Sequence, residues 1–179
     1  MELLEVLILV DEQDNFIGFD TKENCHLGNG KLHRGFVVFL FDEDMLLLQR
    51  RSPKKKLYGG YWDVSVASHP LRRDDGSIES YEEAASRRIK EELGIESKVE
   101  LKRVCHWVYH APFGKYSERE FCVLLTGEYR GKLKPDPNEI MDLKYMPLED
   151  LRTEIAKPYY TPWFKTAFKK FMEISKLSK

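Results

Sequence analysis

Histidine is scarce in this chain, five among 179 residues, and three of the five stand where they could meet. His26 and His33 flank the segment LGNGKL, and His69 follows an apolar stretch that ends at Val66. Glu118 and Glu120, in SERE, are two residues apart, so on a strand both carboxylates face one side. Two like charges placed that way repel unless a proton or a cation lies between them. Three imidazoles and two carboxylates form a nitrogen and oxygen ligand set that suits zinc, manganese or magnesium. Spacing alone leaves a plainer reading open, in which the histidines are loop residues and the glutamates a solvated face.

Two basic clusters invite a similar comparison. In RRIKEELGI, residues 87–95, Arg88 and Glu92 are four apart, as are Arg87 and Glu91, so each pair shares a helix stripe. As surface ion pairs they would contribute very little. The run RRSPKKK, residues 50–56, reads either as a charged, solvated turn or as a diphosphate clamp. In a clamp, Arg supplies a planar fork and Lys a point charge.

The elements that must position these groups can be read from apolar patterning. Val6–Val10 is an apolar, β-branched run that Asp11–Asn15 turns toward Phe16–Phe19. Gly28-Asn29-Gly30 marks a loop before the buried-strand run Phe36–Phe41, which Asp42-Glu43-Asp44 turns into Met45–Gln49. Leu57–Val66 reads as a loop entering a short strand. A helix begins near Ser80, whose pairing with Glu83 has the form of a capping box. Ala84, Ala85, Ile89 and Leu93 form its inner face, and Gly94 stops it. Val99–Tyr109 and Glu120–Glu128 alternate like strands around a loop, Ala111–Ser117, and Ile140–Met146 is a further strand. Pro147–Leu151 reads as a short helix. A last helix opens with Thr161 as N-cap and Pro162 at its first position, turning Phe164, Ala167, Phe168 and Phe171 inward. Strands outnumber helices and hairpins outnumber βαβ units. That predicts a mixed α/β (α+β) sandwich of sheet and flanking helices, in one domain spanning 1–179.

Composition narrows the function classes. With 42% hydrophobic and 33% charged residues and a net charge of -1, nothing favours nucleic acid or an anionic membrane, so attraction for an anion must be local. Three cysteines without CxxC spacing point to reduced thiols and a cytoplasmic setting. The opening MELLEVLILVDE is too short and too charged for a membrane span or a signal peptide, and reads as a strand. Oligomeric state leaves no mark in the sequence.

Taken in order along the chain, these pieces resemble a known family. EELGI after paired arginines is the end of the Nudix signature. The spacing H-x6-H, the run RRSPKK, the segment WDVSVASHP, the pair ERE and the closing TPW resemble type I isopentenyl diphosphate isomerases. The resemblance runs from about Glu5 to Phe171, and five motifs in sequence are far more specific than any one of them. It implies a Nudix-type mixed sheet with flanking helices and isomerisation of isopentenyl to dimethylallyl diphosphate. It also implies a divalent metal held by His26, His33, His69, Glu118 and Glu120, and magnesium bridging the diphosphate to Glu92. Lys22, Arg51, Lys55 and Arg88 would grip the diphosphate. Glu120 would act as acid/base with Tyr109 nearby, and Trp163 would stabilise a tertiary cation through its ring face. Without the family, Trp163 reads as helix-start core.

The chain departs from the family at two places. The family's proton-carrying cysteine falls at Ala67, and its usual asparagine is Val64. Ser68 would point away from residue 67 on a strand, and Cys25, Cys105 and Cys122 read as small buried residues. Three functions therefore stay open: an isomerase, slow or altered; a Nudix hydrolase; and a prenyl diphosphate binder without chemistry. A hydrolase wants glycine where Arg73 stands and glutamate where Arg88 stands, so Arg88 reverses the charge that metal-activated water needs.

Overall fold

The computed structural model describes residues 4–177. Among them, nine strands join one sheet with β3 (His33–Asp42) at its hub. The first hairpin pairs β1 (Val6–Val10) with β2 (Phe16–Thr21), and Asp11 closes its turn by accepting the backbone N–H groups of Gln13 and Asn15, each at 2.9 Å. A five-residue helix, α1 (Lys22–His26), follows; the sequence reading missed it, because one turn is too short to show periodicity.

One edge of β3 carries β8 (Tyr116–Glu128) in parallel along nine residues. The other edge meets β1, β6 (Val66–Ser68) and β4 (Met45–Arg51) in succession, all antiparallel. β4 then splays away to pair with β5 (Trp62–Asp63) and β9 (Ile140–Pro147). The buried Ser65 bridges that split, donating to Leu47 O at 2.6 Å and accepting from Leu40 N at 2.8 Å. The expected loop at Ala111–Ser117 is instead the tip of a long hairpin. β7 (Lys102–Phe113) pairs with β8 up to Phe113–Tyr116, leaving a two-residue turn in which Gly114 takes the left-handed conformation with φ 60°. Pro112 is tolerated there because β7 is an edge strand.

Helices cover both faces. α2 (Tyr81–Leu93) opens with the Ser80–Glu83 capping box and stops at Gly94, φ 67°. Its Ala84, Ala85, Ile89 and Leu93 meet Phe36, Val38, Leu40, Val123 and Leu125. On the opposite face α3 (Leu148–Glu154) and α4 (Pro162–Leu177) bring Leu151, Phe164, Ala167 and Phe168 against Val37, Phe39 and Leu124. β3 is therefore apolar at consecutive rather than alternate positions, as a strand covered on both sides requires. No helix among the described residues is long and apolar enough to cross a membrane.

Candidate functional site

Register brings the expected ligands together. His33 opens β3 directly beside Glu120 of β8, and Tyr109 of β7 lies opposite Glu120 on the other side. Glu118 sits two residues back on the same face, and His69 follows β6. His26 ends α1, which Thr21 caps by accepting Asn24 N at 3.3 Å. One ligand atom from each of His26, His33, His69 and Glu118 lies within 4.8 Å of every other, and all four residues are buried. Glu120 joins them, with Oε1 2.8 Å from His69 Nε2 and 3.8 Å from His33 Nε2. Its Oε2 accepts the Tyr109 hydroxyl at 2.7 Å.

The donor chemistry says what fits between them. His26 Nδ1 and His33 Nδ1 each lie 2.7 Å from a backbone carbonyl, of Lys22 and Lys31 respectively. A carbonyl only accepts, so both Nδ1 atoms carry a proton and both Nε2 atoms turn inward. His33 Nε2 and His69 Nε2 are buried without a hydrogen-bond donor. Leaving such atoms unpartnered costs about 1–3 kcal/mol each. Burial holds His33 neutral, with its pKa down at about 4, and pushes His69 well below its usual range. Burial and the neighbouring Glu118 push Glu120 well up; burial pushes Glu118 up too, but His26, His33 and Arg51 together outweigh it and hold Glu118 down. Imidazole nitrogens and carboxylate oxygens facing one point, two of the nitrogens without a hydrogen-bond partner, fit a cation. Atoms bound to one ion at about 2.1 Å stand about 3 Å apart at right angles. His26 Nε2 and Glu118 Oε2, hydrogen-bonded to each other at 3.0 Å, have that separation. The cluster can bind a metal ion.

Gly35 keeps the cluster in register. A Cβ built there would overlap the Glu120 carboxyl group. Gly35→Ala is expected to push Glu120 aside and weaken divalent-metal binding by about 10–100-fold, the size typical of disturbed ligand orientation. Metal titration followed by calorimetry would check it; unchanged affinity would show that Glu120 is not held by this contact.

His26, His69, Glu118 and Glu120 of the cluster line a cavity of about 890 Å³. Lys22, Arg51, Lys55 and Arg88 all line it, with Trp163, Tyr109 and Ala67. Of the expected site residues, Glu92 stands apart. It lies behind Arg88, which donates to its Oε1 at 2.6 and 2.9 Å, while Gln49 Nε2 donates to Oε2 at 3.0 Å. The Arg88–Glu92 pair is thus mostly buried rather than a surface bridge. Arg87 grips Glu79 with two hydrogen bonds, at 2.8 and 2.9 Å, and contacts Glu91 more loosely at 3.3 Å.

Sequence reasoning passed over Glu139 and Asp63. Glu139 pairs with Lys55 and lies 3.2 Å from Arg88 Nη2, so it partly neutralises the basic wall. It comes from the turn before β9, and nothing local announces a partner more than 80 residues away. Asp63 lies beneath Trp163 and Arg51. Ala67 and Ser68 both line the cavity, although β6 pairs them with Val37 and Phe36 on opposite faces of β3. Cys122 is buried beneath Glu120, and burial pushes its thiol well up, so it stays protonated.

Comparison with known proteins agrees with this geometry. The NUDIX domain family matches residues 31–165. Isopentenyl-diphosphate Delta-isomerase 1 of Mus musculus is 40% identical over 182 residues, covering 91% of this chain and 80% of its own length. The Mesocricetus auratus protein of the same name is 38% identical, covering 95% and 83%. Isopentenyl-diphosphate delta-isomerase of Schizosaccharomyces pombe is 36% identical, covering 94% and 82%. Among solved structures, Deinococcus radiodurans DR0079 superposes with a TM-score of 0.72 at 23% identity, over 93% of this chain and 98% of that one. A MutT protein of Methanosarcina mazei reaches 0.61 at 17% identity, covering 83% and 96%. These last two likenesses concern the fold.

Proposed function

We propose, for a chain that belongs to the NUDIX domain family and within it to the isopentenyl-diphosphate isomerases, that it moves the double bond of isopentenyl diphosphate to give dimethylallyl diphosphate. The observation that carries this reading is the meeting of basic, aromatic and metal-capable side chains in one cavity. Four basic side chains, Lys22, Arg51, Lys55 and Arg88, line the same cavity as the Trp163 ring and the imidazole and carboxylate cluster. A five-carbon diphosphate has a strongly anionic end and a small apolar end, and this cavity offers a match for each.

His26, His33, His69, Glu118 and Glu120 would hold one divalent ion, zinc, manganese or magnesium. Glu92 would hold magnesium arriving with the diphosphate only once Arg88 turns from it to the diphosphate. Bound at the imidazole site, the ion supplies the positive charge that lets Glu118 and Glu120 stay ionised side by side. Lys22, Arg51, Lys55 and Arg88 grip the diphosphate and turn the hydrocarbon toward Trp163 and Tyr109. The reaction adds a proton to one carbon, leaving a tertiary cation, and removes another from a neighbouring carbon. Trp163, 3% exposed, offers its ring to that cation. Tyr109, held protonated by burial, donates to Glu120, so the Glu120–Tyr109 pair carries the proton on one side of the hydrocarbon. The other side meets Ala67, which has no proton to give; we read the chain as a slow isomerase for that reason.

Incubation with isopentenyl diphosphate and Mg²⁺ separates the outcomes. Dimethylallyl diphosphate supports this reading, and released phosphate would mark a hydrolase. Tight binding with neither product would mark a binder.

Lys55 gives a pH signature. Burial, countered by Glu92, lowers its pKa to about 8. Its charged form grips the anion, so the grip is full below that value and lost above it. KM is expected to rise as pH passes about 8 and to level off in Lys55→Arg, whose guanidinium stays charged. A flat KM profile from pH 7 to 9.5 in the unaltered protein would exclude Lys55 from the clamp.

A further inference from the structure

Trp163 and Arg51 reach the cavity from the start of α4 and the end of β4, and a single side chain ties them together. Asp63 is wholly buried. Its Oδ1 accepts Trp163 Nε1–H at 2.7 Å, the Thr161 hydroxyl at 2.9 Å and Val64 N–H at 2.8 Å. Its Oδ2 accepts Arg51 Nη1–H at 3.0 Å. The same guanidinium lies 5.3 Å from the centre of the Trp163 ring. Thr161 stands at the N-cap of α4 as expected, its carbonyl accepting Lys165 N–H at 3.2 Å, and its hydroxyl donates to Asp63.

Four donors and no acceptor surround the carboxyl group, an environment that the ionised form satisfies and a neutral acid does not. Burial pushes this carboxyl up, and Arg51 and the hydrogen bonds pull against that. A buried carboxylate is costly even when paired. Anchoring the start of α4 would need only a neutral acceptor, so the charge calls for another use. Both groups that it touches beyond its own backbone and Thr161 line the substrate cavity.

We infer that Asp63 is a positioning residue for the isomerisation, with Oδ1 fixing and enriching the Trp163 ring that faces the transient cation and Oδ2 orienting Arg51 toward the diphosphate. The inference rests on the isoprenoid diphosphate reading above. An indole N–H donated to a carboxylate shifts electron density into the ring, and a more negative ring face holds a cation more strongly.

Asp63→Asn is the test. The amide keeps one oxygen for the three donors at Oδ1 but loses the charge and turns an N–H₂ donor toward Arg51. The probes are two diphosphates of equal shape, one with an ammonium nitrogen where the cation forms and one neutral. The unaltered protein is expected to prefer the ammonium compound, and Asp63→Asn to cut that preference by about tenfold, the size of a desolvated cation–ring contact. Affinity for the neutral compound should also fall, through Arg51. The indole N–H proton resonance of Trp163 should move upfield. In a Trp163→Phe background the preference should no longer respond to Asp63→Asn, because the N–H that links them is gone. Asp63→Thr, neutral and suited to a strand, replaces the amide variant should that one fail to fold. An unchanged preference in a folded neutral variant, or an equal loss in the Trp163→Phe background, overturns the inference. If the unaltered protein binds neither diphosphate, the isoprenoid reading fails first and the inference goes with it.

Discussion

Glu120→Gln is expected to lower isomerisation by about 10²–10⁴-fold, the contribution usual for a positioned acid/base group, with substrate affinity far less affected. The amide is close in size and can still accept the Tyr109 hydroxyl, which lies 2.7 Å from Oε2. It cannot carry the proton. Because Glu120 also faces His69 and the ion site, kcat must be measured with metal held in excess, so that lost occupancy is separated from lost proton transfer. Glu118→Gln is the companion: Glu118 contacts His26 at 3.0 Å and does not touch Tyr109. Its effect should recover with added metal, whereas that of Glu120→Gln should not. Full recovery of Glu120→Gln by metal would reduce Glu120 to a ligand.

The second large effect is a gain. Ala67→Cys is expected to raise kcat by as much as about 10²–10⁴-fold, because it supplies a proton carrier on the wall that now has none. The position is favourable: Ala67 shares the cavity with Glu120, Tyr109 and Trp163 and is only half-buried. The buried thiols Cys122 and Cys25 are not ready to substitute. The Cys122 thiol lies buried under Glu120 and is held protonated, and Cys25 sits in α1, its thiol pushed up to about 12 by burial. Steady-state rates with isopentenyl diphosphate check the gain. If the variant folds and its kcat does not move, either proton transfer on that side runs through another group or the pocket serves a different reaction.

The sequence carried local structure well and distant pairing poorly, for physical reasons. Ser80, Glu83 and Gly94 specify the two ends of α2 through hydrogen bonds and a backbone conformation that lie within a few residues of each other. The hub strand announced itself as an unbroken apolar run because helices cover both its faces. The tip of the β7–β8 hairpin was read as a loop, since Pro112, Gly114 and Ser117 are loop-forming types; pairing along the rest of β8 overrides them. Within the site, residue types could nominate His26, His33, His69, Glu118 and Glu120, but only the parallel register of β3 with β8 brings His33 beside Glu120. Asp63 and Glu139 had no such prompt. Their meaning comes from partners about 100 and 84 residues away, Trp163 and Lys55, as the hydrogen bond and ion pair show.

The buried cluster of imidazoles and carboxylates is built to hold a positive ion at its centre. Metal content of the purified protein, after dialysis against metal-free buffer, measures this directly. One tightly held divalent ion per chain is expected, falling to less than one tenth in His33→Ala and His69→Ala. A chain that binds no divalent ion at micromolar concentration while remaining folded would contradict the account at its base.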